Sequence, residues 1–272
     1  MMRARFPQSR DDREQKRSWL YGTLVFLCLV FFGIGFFPQL SGSFLYAVLV
    51  ILMLAGLYLG FAEVFLLGLS FGLILWLRGI GALSALWPLP TALALGTVLV
   101  VGTLFPFTRG TFGWLKRGEL GRTQVAAIVV ISAVSAIALV AWYTIVNPDF
   151  SDISGRITPM HPVALVFAGL LFSAGNAICE EFVWRGMIYG ALERASFPVT
   201  AVILLQALSF GFSHINGFPR GVSGIVLASI YGCLIGAVRH NSKGLLAPTI
   251  AHAFADAVIY SILVSVAQGT GT

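Results

Sequence analysis

Charged residues are scarce in this sequence. Only 10% of the 272 residues are charged, whereas 58% are hydrophobic, and an ordinary soluble domain carries about 25% charged residues. So few polar groups cannot cover the surface of a globular protein in water. The composition therefore excludes a soluble fold and predicts an all-α, polytopic bundle of transmembrane helices.

Cysteine is scarce as well, and a zinc-protease signature is missing. Cys28, Cys179 and Cys233 lie in apolar runs without CxxC spacing, so we interpret them as buried small hydrophobic residues. No HExxH sequence is present, and we expect neither a metal nor another cofactor. The first apolar run lacks an A-x-A-like cleavage site and is interpreted as a retained span.

The basic residues are distributed as in a membrane protein. The net charge is +6, but six of the 17 Lys and Arg residues fall within the first seventeen positions and others fall in short loops. This is the positive-inside pattern, and it gives no indication of a nucleic-acid partner. The expected location is a cell membrane, with a bacterial inner membrane favoured.

Hydrophobic periodicity predicts about nine helices, with eight spans as the alternative. The predicted helices cover residues 19–37, 43–60, 62–77, 90–105, 124–146, 162–194, 197–214, 221–238 and 244–266. The doubtful stretch is 43–77, which makes either one long span or two minimal spans. Two spans with a turn at Gly60 fit better, because they place the basic loop 106–123 in the cytoplasm.

This topology places the N-terminus inside and the C-terminus outside, with Arg78, Arg156 and Arg220 also outside. We divide the chain into a basic cytoplasmic segment (1–18), N-terminal transmembrane helices of unknown role (19–146) and a catalytic helical core (147–272). Glu63 is interpreted as a carboxylate at the cytoplasmic interface, without a visible partner.

Six ionisable residues interrupt the apolar helices of the C-terminal part. They are Glu180, Glu181 and Arg185 on the sixth helix, His214 at the end of the seventh, and His252 and Asp256 on the ninth. Ionisable residues inside spans are rare and usually face a protein interior or a water-filled cavity. Helix lengths place all six at similar depth, so we expect one chamber in the cytoplasmic half to the middle of the membrane.

Spacing separates the two glutamates. Glu181 and Arg185 are four residues apart, with Glu first, which favours an ion pair. Glu180 lies about 100° around the helix, on the face of Asn176, and is predicted to be free. His252 and Asp256 also share a face, so Asp256 is expected to orient the imidazole.

This set suits hydrolysis with water as the nucleophile. Glu180 and His214 would deprotonate water, and His252 would donate a hydrogen bond to the oxyanion. No serine or cysteine has a convincing nucleophile setting, because Ser213 points about 100° away from His214 on a helix. Each residue alone also has a structural interpretation, whereas the whole set favours a catalytic site.

Three motifs in order resemble the CPBP family, which comprises the Rce1-type CAAX prenyl endopeptidases and their bacterial relatives, also called Abi proteins. They are Glu180-Glu181-x-x-x-Arg185, Phe210-x-x-x-His214 and His252-x-x-x-Asp256, with Gly-Leu-Leu-Ala-Pro before the last. The resemblance covers roughly residues 160–260. It implies a glutamate-type intramembrane endopeptidase without a required metal.

By this resemblance, Glu180 and His214 activate water, His252 and residue 256 stabilise the oxyanion, and Glu181 and Arg185 organise the site. Many family members carry Asn where this chain carries Asp256. An ionised Asp only accepts hydrogen bonds, so Asp256 is either protonated by burial or positions His252 instead.

Two alternatives stay open. Two histidines with carboxylates can bind zinc, which would make a zinc-dependent membrane protease. A non-catalytic immunity, scaffold or transport protein could also place polar groups in the bundle. The partners expected under the leading hypothesis are the lipid bilayer and a membrane-associated protein or peptide substrate, and the sequence leaves the oligomeric state open.

Overall fold

The structure is a computed structural model that describes residues 10–37, 39–40, 42–84, 86–150 and 161–269. Within these ranges every regular element is helical and no strand occurs, which confirms the predicted all-α fold. Nine long helices follow one another along the described chain: α1 Arg10–Ile34, α2 Ser43–Leu59, α3 Ala62–Arg78, α4 Leu89–Leu104, α5 Arg122–Val146, α6 Pro162–Arg194, α7 Val199–Ser213, α8 Gly221–Ser242 and α9 Leu246–Gly269. Short helical turns lie at Gly81–Ser84, Pro106–Trp114 and His214–Asn216.

The predicted helices agree with these bounds except at the first. Helix α1 begins at Arg10, nine residues before the predicted start, because the charged sequence RDDREQKR also forms helix. It ends at Ile34, where Gly35 enters a turn. Arg156, predicted for an outside loop, lies outside the described residues.

Six of the described helices are long and apolar enough to cross a membrane: α1, α5, α6, α7 with the turn after it, α8 and α9. Side chains on α5 such as Val129, Ile137 and Ile145 are exposed, as expected for a surface that faces lipid. The protein is therefore a multi-pass membrane protein. Helices α2, α3 and α4 have only 17, 17 and 16 residues, so the nine-span count and the orientation stay predictions.

Residues 43–77 form two helices rather than one. Helix α2 ends at Gly60, whose φ of 70° is left-handed and suits glycine because it lacks a Cβ atom. The turn predicted at Gly60 is thus confirmed. Glu63 follows this turn and has a partner that the sequence did not reveal, because Arg194 Nη1 lies 2.6 Å from Glu63 Oε1.

The basic loops meet at one end of the bundle. Arg194 donates a hydrogen bond to the carbonyl oxygen of Gly110, in the loop between α4 and α5. The same loop pairs with the turn before α9, where the amide of Glu119 donates to Ser242. The charge pattern predicts that these loops lie on one side of the membrane, and the contacts between them agree with that prediction.

The N-terminal helices pack directly on the C-terminal ones. Phe32 of α1 stacks on Phe71 of α3 with ring centroids 3.8 Å apart, and its centroid lies 6.0 Å from that of Trp184 on α6. The Tyr21 hydroxyl donates to the carbonyl oxygen of Ala191. Helices α1, α3 and α6 therefore share one apolar core, and the division near residue 146 stays a prediction.

Candidate active site

Helix α6 changes its winding just after the glutamate pair. Residues Phe182–Ile188 form a π-helical turn, a rare element that is common at functional sites. Trp114, from the connection before α5, packs on this turn, where any Cβ atom on Gly186 would clash with its ring. Arg185 lies within this π-helical turn.

Glu181 and Arg185 form the predicted ion pair. Arg185 Nη1 lies 2.9 Å from Glu181 Oε1, and both side chains are fully buried. The guanidinium also lies over the ring of Phe210, 4.6 Å from its centroid, which adds a cation–π contact. Phe210 thus supports the arginine, and its ring lies 4.6 Å from that of His214.

His252 is held most closely by Glu181, and the predicted pairing with Asp256 is present at a longer distance. Its Nδ1 lies 2.7 Å from Glu181 Oε1, whereas its Nε2 lies 3.8 Å from Asp256 Oδ1. The neighbouring helix α6 approaches the imidazole more closely than the next turn of α9 does. Since a carboxylate only accepts hydrogen bonds, Nδ1 carries a proton.

The other glutamate faces the opposite edge of the same imidazole. Glu180 Oε2 lies 3.5 Å from His252 Nε2, and this oxygen accepts no hydrogen bond from the described residues. Glu180 forms no ion pair with Arg185. The two adjacent carboxylates thus occupy different positions: Glu181 Oε1 contacts both Arg185 and His252, whereas Glu180 contacts His252 and lines the cavity.

Asp256 belongs to a second hydrogen-bond chain. Asn176 Nδ2 donates to Asp256 Oδ2 over 3.1 Å, and Trp87 Nε1 donates to Asn176 Oδ1 over 2.6 Å. Asp256 therefore acts as an acceptor at Oδ2. The Asn176 amide is oriented by this pair of bonds, since its oxygen must face the indole and its nitrogen must face the carboxylate.

His214 begins the short turn after α7, close to the predicted helix end. Its Nδ1 lies 2.9 Å from the carbonyl oxygen of Phe210, so Nδ1 donates and Nε2 is left as an acceptor in the neutral ring. The Ser213 hydroxyl also lies 3.2 Å from Nδ1, nearer than predicted, but it donates to Phe210 over 2.7 Å.

A cavity of about 600 Å³ joins these groups, and its wall includes Glu180, His214, His252 and Asp256. It also reaches Arg78 and Arg220, which lie at the end of the bundle opposite the basic loops. His214, which follows the last residue of α7, lies toward that same end, and the predicted position of the cavity, in the cytoplasmic half to the middle of the membrane, stays a prediction. No group of three or more His, Cys, Asp or Glu residues in the described ranges has the arrangement of a metal site.

Comparison with known families matches residues 159–258 to a model described as type II CAAX prenyl endopeptidase, Rce1-like. This part of the chain is Rce1-like. The match covers a little over a third of the chain, includes all six predicted site residues and confirms the resemblance drawn from the three motifs. No curated protein and no solved structure matches the chain.

The Rce1-like segment (residues 159–258) is thus similar to a family of CAAX-type membrane proteases. Several cavity-lining residues lie outside this segment, and two of them, Arg78 and Trp87, come from the part of the chain before α4. Sequence reasoning assigned Arg78 to an outside loop and overlooked Trp87. The only signal was their position beside a helix end, because neither belongs to a motif.

Proposed function

We propose that the cavity hydrolyses a peptide bond in a membrane-associated protein or peptide, with water as the nucleophile. The observation that carries the proposal is the setting of Glu180. Glu180 lines the same cavity as His214, whereas its neighbour Glu181 does not, and the Glu180 Oε2 atom lies 3.5 Å from His252 Nε2. A carboxylate and an imidazole acceptor that face one cavity suit the deprotonation of water.

In the proposed first step, Glu180 and His214 take a proton from water. The resulting hydroxide attacks the carbonyl carbon of the scissile bond, and the carbonyl oxygen becomes an oxyanion. The C–N bond then breaks, and the proton returns to the departing amine. Atoms and charge balance without a covalent enzyme intermediate.

His252 is assigned to the oxyanion. Glu181 accepts from Nδ1 and fixes the ring, while Arg185 fixes Glu181 in turn. With Nε2 also protonated, the ring supplies a donor to a developing negative charge in a site poor in water. The surrounding carboxylates of Glu180, Glu181 and Asp256 favour this cationic ring.

Asp256 is assigned a positioning role. It accepts from Asn176 at Oδ2, so it serves as an acceptor and leaves donation to His252. This assignment follows the sequence interpretation in which Asp256 positions His252, and it is supported by the 3.8 Å contact between Asp256 Oδ1 and His252 Nε2. The family model's description names CAAX prenyl endopeptidases, and we propose a substrate that reaches the site from a cell membrane.

The test is a comparison of membrane proteomes from cells that carry wild-type, Glu180→Gln or Glu193→Gln protein. Glu193 is a matched control, because it lies on the same helix and is exposed. We expect uncut precursors to accumulate with Glu180→Gln alone, at equal levels of inserted protein. Identical protein termini in all three strains, with biological function intact, would instead indicate a non-catalytic protein.

A further inference from the structure

Arg78 is a cavity residue that the proposed hydrolysis does not use. It ends α3, in the N-terminal helices that lie outside the Rce1-like segment. Its side chain nevertheless lines the cavity that holds Glu180 and Asp256. The side chain is partly buried, and burial of a charge without compensation is costly, so a guanidinium in this position needs an explanation.

Two aromatic rings fix the guanidinium in place. Its carbon lies 5.0 Å from the ring centroid of Phe36 and 5.0 Å from that of Trp87. Trp87 is itself anchored, because its indole donates to Asn176. Contacts with ring faces engage the flat surface of a guanidinium and leave the N–H groups at its edge for a ligand.

No carboxylate neutralises Arg78 by direct contact in the described ranges. It has neither an ion pair nor a hydrogen bond there, whereas Arg185 and Arg194 each have a glutamate partner. Glu180 interacts with Arg78 electrostatically but does not form a pair with it. The cavity therefore has one cationic group whose edge is not used by the protein.

We propose that Arg78, seated between Phe36 and Trp87, binds a carboxylate of the peptide substrate and thereby sets which bond reaches Glu180. The planar edge of arginine matches a carboxylate, with two parallel hydrogen bonds. A peptide offers such a group at its C-terminus or on an acidic side chain. This inference rests on the proposed peptidase function and assigns it a specificity-determining residue.

The cavity wall favours a peptide over a lipid headgroup. Arg78 shares this wall with Glu180 and with the Asn176–Asp256 pair. A phosphate bound here would occupy the space in which the reaction is proposed to occur. A carboxylate on the substrate instead brings the scissile bond into that space.

The experiment uses the full chain in phosphatidylcholine vesicles and a library of N-acetylated peptides of about four to ten residues. Each peptide is made with a C-terminal carboxylate and with a C-terminal amide, and further pairs exchange Asp for Asn. Cleavage is followed by mass spectrometry. Binding of labelled peptides is measured separately with Glu180→Gln protein, with and without Arg78→Gln.

For one type of peptide pair, C-terminal acid against amide or Asp against Asn, we expect the wild type to cleave the carboxylate form with a kcat/KM about 10- to 100-fold higher. This is the range of a charge-assisted hydrogen bond. Arg78→Gln should bring the ratio of the two kcat/KM values close to one. Arg78→Lys should retain part of the preference for the carboxylate form. Arg109→Gln is the control, because Arg109 is exposed and lies outside the cavity. It should keep the wild-type ratio.

Three results would overturn the proposal: a preference that survives Arg78→Gln, an equal loss for both peptide forms, or a preference that appears only with anionic lipid. The last result would identify a lipid phosphate as the ligand. If the wild type cleaves no peptide, the proposed function fails. The ratio of the affinities for acid and amide peptides, with and without Arg78→Gln, then still supports or refutes a carboxylate-binding site at Arg78.

Discussion

The N-terminal and C-terminal helices fill their interiors with different chemistry. In α1–α4 the buried side chains are nearly all apolar, as in the stacked pair Phe32 and Phe71, and the buried polar ones are Ser70 and Thr91. In α6–α9 the buried set includes Glu181, Arg185, His252 and Asp256. Packing alone suffices to associate helices in lipid, so the costly polar groups of the C-terminal part require a functional reason.

The two regions meet at Trp87. This residue lies before α4, yet its indole donates to Asn176 in the Rce1-like segment. The N-terminal helices therefore serve mainly as packing, and Arg78 and Trp87 are the polar side chains that they and the connection before α4 contribute to the cavity wall. Substitutions in the two regions should therefore separate stability from activity.

The largest effect on activity, next to that of Glu180, is expected for His214→Gln. The substitution removes the Nε2 acceptor that we assign to water activation, and loss of a general base lowers rates by about 10²–10⁴-fold. Thermal stability should change little, because the side chain is only partly buried. Turnover of a precursor found in the proteome comparison measures this, and turnover within threefold of wild type would remove His214 from the mechanism.

Arg185→Gln should cost the most stability. It leaves Glu181 buried without its cation, and breaking a buried pair in this way costs about 3–5 kcal/mol. Unfolding in detergent, followed by fluorescence, measures the loss against Arg109→Gln, whose side chain is exposed. The double variant Glu181→Gln/Arg185→Gln should recover part of it, and no recovery would show that the two charges act separately.

A smaller effect on activity than that of His214→Gln is expected for Asn176→Leu. Asp256 then loses a donor, and an unsatisfied buried acceptor costs about 1–3 kcal/mol. Applied to the transition state, this cost corresponds to about 5- to 160-fold in kcat. Trp87→Phe should have a weaker effect of the same kind, because it removes only the indole donor. Unchanged kcat in both variants would mean that the hydrogen bonds from Trp87 through Asn176 to Asp256 have no role in positioning Asp256.

The smallest effect on activity is expected for Phe71→Leu in the N-terminal core. The change loosens the stack with Phe32, and hydrophobic replacements of this kind cost about 1 kcal/mol of stability. Activity per folded molecule should match wild type, as judged by titrating the folded fraction. A tenfold fall in kcat would show that packing in the N-terminal core affects catalysis. It would contradict the separation of stability and activity between the two regions.

Sequence reasoning succeeded where the relevant contact lies within one helix. The apolar runs predicted all nine long helices, and the four-residue spacing predicted the pair of Glu181 and Arg185. It was incomplete between helices: it gave His252 only Asp256 on its own helix as a partner, whereas Glu181 of α6 lies closer. The contact from Trp87 to Asn176 joins residues 89 positions apart, and no local pattern encodes such a distance.

The most direct measurement is the turnover of an identified precursor by purified full-length protein in vesicles. Wild type, Glu180→Gln and Glu193→Gln are compared at equal amounts of folded protein. We predict that Glu180→Gln lowers kcat by about 10²–10⁴-fold while it still binds the precursor, and that Glu193→Gln matches wild type. Turnover by Glu180→Gln within threefold of wild type would contradict the assignment of Glu180 as the base.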